Sequence, residues 1–200
     1  DVESMFHAHG WSQMHNHADL LLRLYGQSRG RAAEYWGHEH LELDRWVHLN
    51  DVPKRAQAWY QAQDPQFRKY LDAFAQGIND YAAKNPQHAS AAVRVVLPVT
   101  GVDVVQHTMR AVYFGYMGSP ARLRTELGGR ASVATADGDP PGSNTWAVGP
   151  SRSASGKAML IINPHLQWGD FYTYMEVHLT APGYDLYGAP QIGFPVPVIG

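Results

Sequence analysis

The residues best equipped for chemistry in this chain are Gly142 and Ser143, at the head of the run Gly142-Ser143-Asn144-Thr145-Trp146. A serine hydroxyl is a weak nucleophile at neutral pH and needs a base. If the Gly142–Ser143 peptide bond is cut, Ser143 becomes an N-terminal residue and carries its own base. An α-amino group titrates at about 7.7–8.0, close to the optimum for general-base work near neutrality. Nucleophile and base then share one residue, and no His-Asp pair is required. Gly142, without a Cβ, lets the backbone take the geometry that attack of the Ser143 hydroxyl on the Gly142 carbonyl would need. Gly-Ser-Asn is also a common turn tripeptide, because Ser and Asn side chains bond nearby backbone groups. The surroundings of the tripeptide therefore have to decide its role.

Those surroundings change character at Ser143. Before it, Ala136-Asp137-Gly138-Asp139-Pro140-Pro141 can continue neither a helix nor a strand. Further upstream the chain reads as helices. Residues 10–25 place Trp11, Met14, Ala18, Leu21, Leu22 and Tyr25 at helical spacing. Short helices are expected over residues 31–36 and 40–49, parted by Gly37. A pair follows over 53–63 and 66–84, punctuated by Asp64-Pro65 and closed by Asn85-Pro86. Residues 93–98 read as a short extended piece, 102–117 as a mostly buried helix, and 118–141 as loop. Downstream, 146–148 and 157–162 read as strands about the turn 151–156, and 171–179 and 194–199 read likewise. Strand-like sequence reaches Gly200, as expected of a piece of something larger.

Composition narrows the classes. A hydrophobic share of 44% against 17% charged is that of a globular domain. A net charge of −2, with Lys and Arg scattered, gives no electrostatic case for nucleic acid or an anionic membrane. No apolar run approaches the roughly 20 residues that span a bilayer. With no cysteine, thiolate chemistry and disulfides are excluded. The histidines invite a metal reading: His7 and His9, His15 and His17, His38 and His40, and His48. On a helix, residues two apart point about 200° away from each other, so none of the three pairs can chelate one ion without help from elsewhere in the fold.

The order of motifs resembles the penicillin acylase family of N-terminal-nucleophile amidohydrolases. The matching pieces are Ser143-Asn144-Thr145-Trp146-Ala147-Val148-Gly149, Gly156-Lys157-Ala158-Met159 and Asn163-Pro164-His165-Leu166-Gln167-Trp168. Tyr172-Thr173-Tyr174, His178-Leu179 and Pro182-Gly183-Tyr184-Asp185 follow in order. Upstream, Gly10-Trp11-Ser12-Gln13-Met14 and Leu21-Leu22-Arg23-Leu24-Tyr25-Gly26 resemble the family's helical α-subunit. The resemblance implies an α+β fold of the αββα sandwich type. It divides the chain into an α-subunit-like region (1–129), a spacer with the processing site (130–142) and the start of a catalytic β-subunit (143–200).

It also implies a self-cleaving precursor whose two pieces stay together as a heterodimer. The implied substrate is a small molecule in which an amide joins an acyl group to an amine. Ser143 matches the nucleophile, and His165 the position beside its amine. Penicillin G acylases carry Gln there, whereas the acyl-homoserine-lactone and cephalosporin acylase branches carry His. Leu166 and Val198 fall where the family lines its acyl pocket, joined by Met117. No cofactor is required for this chemistry; a structural calcium ion is implied, with Glu126 near a ligand position. The family's oxyanion hole uses a backbone N–H and an Asn further along its catalytic subunit, beyond this chain. Export to the periplasm or medium is implied by the resemblance alone. Competing expectations are a β-lactam or glutaryl acylase with another acyl pocket, a non-catalytic binding relative, and a His-rich metal-binding protein.

Overall fold

The computed structural model describes residues 1–118, 142–166 and 169–200. Among the described residues helices come first and strands second, and the first described strand begins at Gly142. That strand therefore starts at the residue pair singled out by its chemistry.

Helix α1 (Val2–Ser28) opens on an Asp1 cap whose carboxylate accepts the Ser4 N–H, and it kinks at His17, where φ leaves the helical region. Its apolar residues Met14, Leu21, Leu22 and Tyr25 are completely buried. It lies along α5 (Pro65–Lys84), which starts on an Asp64 cap with Pro at the first position, the residue that loses least there. The two helices touch backbone to backbone. A Cβ on Gly10 would stand 2.0 Å from the Phe74 carbonyl oxygen, and one on Gly77 2.0 Å from that of His7. Phe74, Ile78 and Leu71 of α5 complete this core with Val93, Val96 and Val104.

Helix α2 (Ala32–Trp36) has both of its first amides held by the carboxylate of Asp44, from α3 (Leu41–Leu49). Helix α4 (Val52–Ala62) leads into α5. Helix α6 (Gly101–Arg110) opens on a capping box between Thr100 and Asp103, and Asp103 also holds Arg29, the C-cap of α1, in a part-buried ion pair at 2.6 Å. The buried helix expected over 102–117 is α-helical only to Arg110. Residues 111–117 continue as a π-helix, the wider turn that recurs at functional sites. Residues 93–98, expected to be extended, instead form a 3₁₀ turn at Arg94–Val96, which lets Val93 and Val96 point into the core.

Strands β1 (Gly142–Val148) and β2 (Met159–His165) form an antiparallel hairpin, as do β3 (Val177–Ala181) and β4 (Tyr184–Gly188). Two strand expectations are corrected. Residues 171–179 yield a strand only from Val177, because Phe171 and Tyr172 sit in a 3₁₀ turn packed against the π-helix. Residues 194–199 contribute one isolated bridge, Ala189 to Ile199, and not a strand. Met159, Leu160, Ile161 and Ile162 of β2 are all exposed. Alternation sends two to each face, the pattern of a strand made to be covered on both sides. Glu126, and the spacer but for Gly142, lie outside the described residues, as do Gln167 and Trp168 of the matching motif.

Candidate active site

Ser143 is the second residue of β1 and is exposed. Its hydroxyl donates to the Gly142 carbonyl oxygen at 2.8 Å. The nucleophile thus rests on the peptide group that it would have to attack. In the uncut chain its nitrogen is an amide, with no lone pair available as a base.

The register pairs Gly142 with His165 and Ser143 with Pro164. Side chains alternate across the hairpin, so His165 shares a face with Asn144 and Asn163 while the Ser143 hydroxyl points to the other. Asn144 and Asn163 stand directly across from each other. Both amides donate to His165 Nε2, from Asn144 Nδ2 at 3.0 Å and from Asn163 Nδ2 at 3.3 Å. An amide NH₂ group only donates, so the two amides share the one lone pair of Nε2 and hold the ring from both strands. His165 is thereby aligned with the backbone of residues 142–144, where a Ser143 amine would appear, rather than with the hydroxyl. Asn144, readable in sequence as a turn residue, is a strand residue that orients this ring. The signal that could have found Asn163 is its spacing of two from His165, which fixes both to one face.

The remaining predicted positions are dispersed. Leu166 follows His165 directly at the end of β2 and is half-buried. Met117 ends the π-helix and is 73% exposed. Val198 is 45% exposed, and its N–H donates to the Ala189 carbonyl at 3.3 Å. None of the three belongs to the apolar clusters among the described residues, so the surface that would join them to Ser143 is not assembled by contacts within this set.

Two ties connect the π-helix to the strand region. Tyr116 Oη donates to Gln191 Oε1 at 2.9 Å, and Tyr172 Oη donates to the Gly115 carbonyl at 3.1 Å. Burial raises both phenols above their ordinary range, so both stay protonated donors. A Cβ on Gly115 would lie 2.4 Å from the Phe171 ring, so the π-helix approaches this turn as closely as a glycine allows.

The histidines serve structural ends. His9 is buried against Phe74, His48 bonds the Gly30 carbonyl, and His15 bonds Tyr81 and stacks on His88. Among the described residues no group of three or more His, Cys, Asp or Glu side chains is placed to hold a metal ion. No described helix is long and apolar enough to cross a membrane.

Comparison with known proteins places these features in context. Residues 1–200 match the family model described as penicillin amidase. The acyl-homoserine lactone acylase PvdQ of Pseudomonas fluorescens (strain Pf0-1) is 27% identical over 219 residues, which covers 96% of this chain and 28% of the relative. The protein of the same name from Pseudomonas syringae pv. tomato is 25% identical across 100% of this chain and 30% of its own length. Aculeacin-A acylase of Actinoplanes utahensis is 38% identical over 60 residues, 30% of this chain and 8% of the relative. The chain spans between a quarter and a third of the full-length relatives that it matches end to end. It belongs to the penicillin amidase family.

Proposed function

We propose that this penicillin amidase family member forms the helical region, processing junction and first strands of a self-processing acylase. The enzyme hydrolyses the amide between an acyl chain and an amine, with Ser143 as nucleophile. The observation that carries the reading is the Ser143 hydroxyl seated on the Gly142 carbonyl at 2.8 Å, at the start of the first described strand.

In the processing step Ser143 Oγ attacks the Gly142 carbonyl carbon. The Gly142–Ser143 C–N bond breaks, its nitrogen takes the hydroxyl proton, and an ester replaces the amide. Water hydrolyses the ester, leaving a carboxylate on Gly142 and a free amine on Ser143. In turnover that amine accepts the Oγ proton as Oγ attacks the substrate amide, and passes it to the leaving amine. Water, deprotonated by the same amine, then releases the acid. His165, held by Asn144 and Asn163, orients the Ser143 amine.

The two-faced apolar strand β2 supports a sandwich whose sheets are covered on both sides, the N-terminal-nucleophile arrangement. Regions 1–129 and 143–200 become the two associated pieces, with the spacer 130–142 between them. Leu166, Val198 and Met117 line the acyl pocket, and Glu126 contributes to a calcium site. Relatives named as acyl-homoserine lactone acylases and aculeacin-A acylase support an acyl-homoserine lactone or a lipopeptide as the substrate, with a β-lactam antibiotic as the alternative. The place of action is periplasmic or extracellular.

The test is Ser143→Ala in the full-length protein. It should give a single uncut chain by intact mass, without amidase activity, whereas the parent yields a fragment beginning at Ser143. Cleavage at Gly142 in Ser143→Ala would refute the mechanism.

A further inference from the structure

The backbone of residues 192–194, about 180 residues from α1 in sequence, is read by side chains of the helical region. Gln13 is completely buried and binds it twice: Gly193 N–H donates to Oε1 at 2.8 Å, and Nε2 donates to the Phe194 carbonyl at 2.9 Å. The second proton on Nε2 goes to His9 Nε2 at 2.9 Å, so the amide group of Gln13 has no idle hydrogen. Tyr25 Oη donates to the Gly193 carbonyl at 2.9 Å, and His107 Nε2 donates to the Ile192 carbonyl at 3.0 Å. The remaining two groups are satisfied nearby, Ile192 N–H by the Thr173 carbonyl and Phe194 N–H by that of Gln191. Every backbone N–H and C=O from Ile192 to Phe194 is therefore paired, and most of the partners are side chains of α1 and α6.

The fit is also steric. Gly193 has φ +91°, a region that L side chains rarely adopt, and a Cβ there would lie 2.6 Å from His107 Cδ2 and 2.9 Å from Tyr25 Cε1. Buried hydrogen-bonded networks of this kind fix one geometry, because a shift of any member strands the others without water. The segment they hold runs on to Val198, four residues past Phe194.

We propose that Gln13, Tyr25 and His107 are positioning residues for acyl-chain selection: they clamp the 192–194 turn and so set the placement of Val198. The proposal rests on the reading above for Val198. The clamp crosses the processing junction, since its side chains lie before Gly142 and its target after Ser143. Once the chain is cut, the placement depends on these bonds, on the Tyr116–Gln191 and Tyr172–Gly115 bonds, on the Val198–Ala189 bond and on packing.

The experiment uses the full-length processed protein with Gln13→Leu, which keeps bulk and removes the amide. Tyr25→Phe, which deletes one oxygen from the same clamp, serves if Gln13→Leu fails to fold. Hydrogen–deuterium exchange is read over residues 189–199, and kcat and KM over acyl chains of increasing length. The clamp predicts exchange in 189–199 faster by about tenfold with α5 unaffected, as for loss of buried hydrogen bonds. It predicts KM for long acyl chains raised by about tenfold, with kcat and the KM of short chains unchanged. A role in stability alone would lower the active fraction, and so kcat, equally for all chain lengths. Unchanged exchange, or a loss independent of chain length, would overturn the proposal. A parent protein that is inactive on every acyl amide would instead sink the acylase reading, and the exchange data would still judge the clamp.

Discussion

Lowering the pH should loosen the joint between the helices and the 192–194 turn, through two histidines that the fold keeps neutral. Burial pushes the His9 imidazole from 6.5 down to about 4. Burial, aided by the Arg110 charge one turn along α6, pushes His107 down to about 3. Both sit among groups that leave a proton no room: His9 packs on Phe74 and accepts from Gln13, and His107 lies against Tyr25, Phe171 and Phe194. The sign follows from which state binds protons. As the pH falls below 6.5, the unfolded chain takes up two protons that the folded chain refuses, so stability declines from about pH 6.5 down towards the folded values. At pH 5.0 each histidine is about 1.5 units below its unfolded pKa, at about 1.4 kcal/mol per unit. The loss is about 2 kcal/mol each and about 4 kcal/mol together, a large part of the 5–15 kcal/mol typical of a domain. Carboxylates held low in the fold, Glu34 by Arg31 and Asp80 by His7, give up their contribution only at more acidic pH. The assay is urea unfolding at pH 7.5 and 5.0 for the parent and for His9→Gln/His107→Gln, which keeps polar groups but cannot titrate. The parent should lose about 4 kcal/mol more than the double variant. Equal losses in the two would refute the assignment.

Further outcomes follow from close contacts and from the site. Gly10→Ala drives a methyl group against the Phe74 carbonyl, where the ideal Cβ distance is 2.0 Å, and should cost about 3 kcal/mol or more in urea unfolding by prising α1 from α5. Asn163→Ala leaves His165 Nε2 with Asn144 as its one amide donor and should lower kcat of the processed protein by roughly 3- to 10-fold, read as release of acid from an acyl amide.

What the sequence could carry was local. Apolar spacing along residues 10–25 reads as α1, and the Pro/Gly punctuation at Asp64-Pro65 and Asn85-Pro86 sets the ends of α5 within a residue or two. Gly142-Ser143 stands out because composition changes on either side of it. The reading failed where tertiary contact overrides propensity. Phe171 and Tyr172 look like strand residues, yet they are spent on the π-helix, so the strand starts six residues later. Residues 184–188 form β4 without a strand signal of their own, and the trace that marks it is the turn at Pro182-Gly183, with Gly183 at φ +82°. The clamp was the least legible part. Its one local trace is that His9 and Gln13, spaced by four on the buried face of α1, are polar where Met14 and Leu21 are not. A buried polar pair of that kind demands partners, but nothing in the sequence says that they wait beyond residue 190.

The chemistry of that joint fits the self-cleavage proposed for this chain. Apolar contact would hold the helical and strand regions together without a direction, and the core already supplies it through Leu179 and Ile192, which pack with Leu22 and Phe74. A sliding contact of that sort tolerates shifts of an ångström, and a site is sensitive to shifts of that size. The register has to be written in groups that fail when misplaced. An amide that reads one N–H and one C=O of a glycine-containing turn is such a group, because displacing it strands at least two buried polar atoms at about 1–3 kcal/mol each. On this argument the polar residues of α1 fix a geometry that apolar contact would leave loose. Replacing His9 and Gln13 together by Leu strands the Gly193 N–H and the Phe194 carbonyl and should lower stability in urea by about 2–6 kcal/mol, while 189–199 loses its exchange protection. Stability lost with the protection of 189–199 retained would show that the network only contributes to packing.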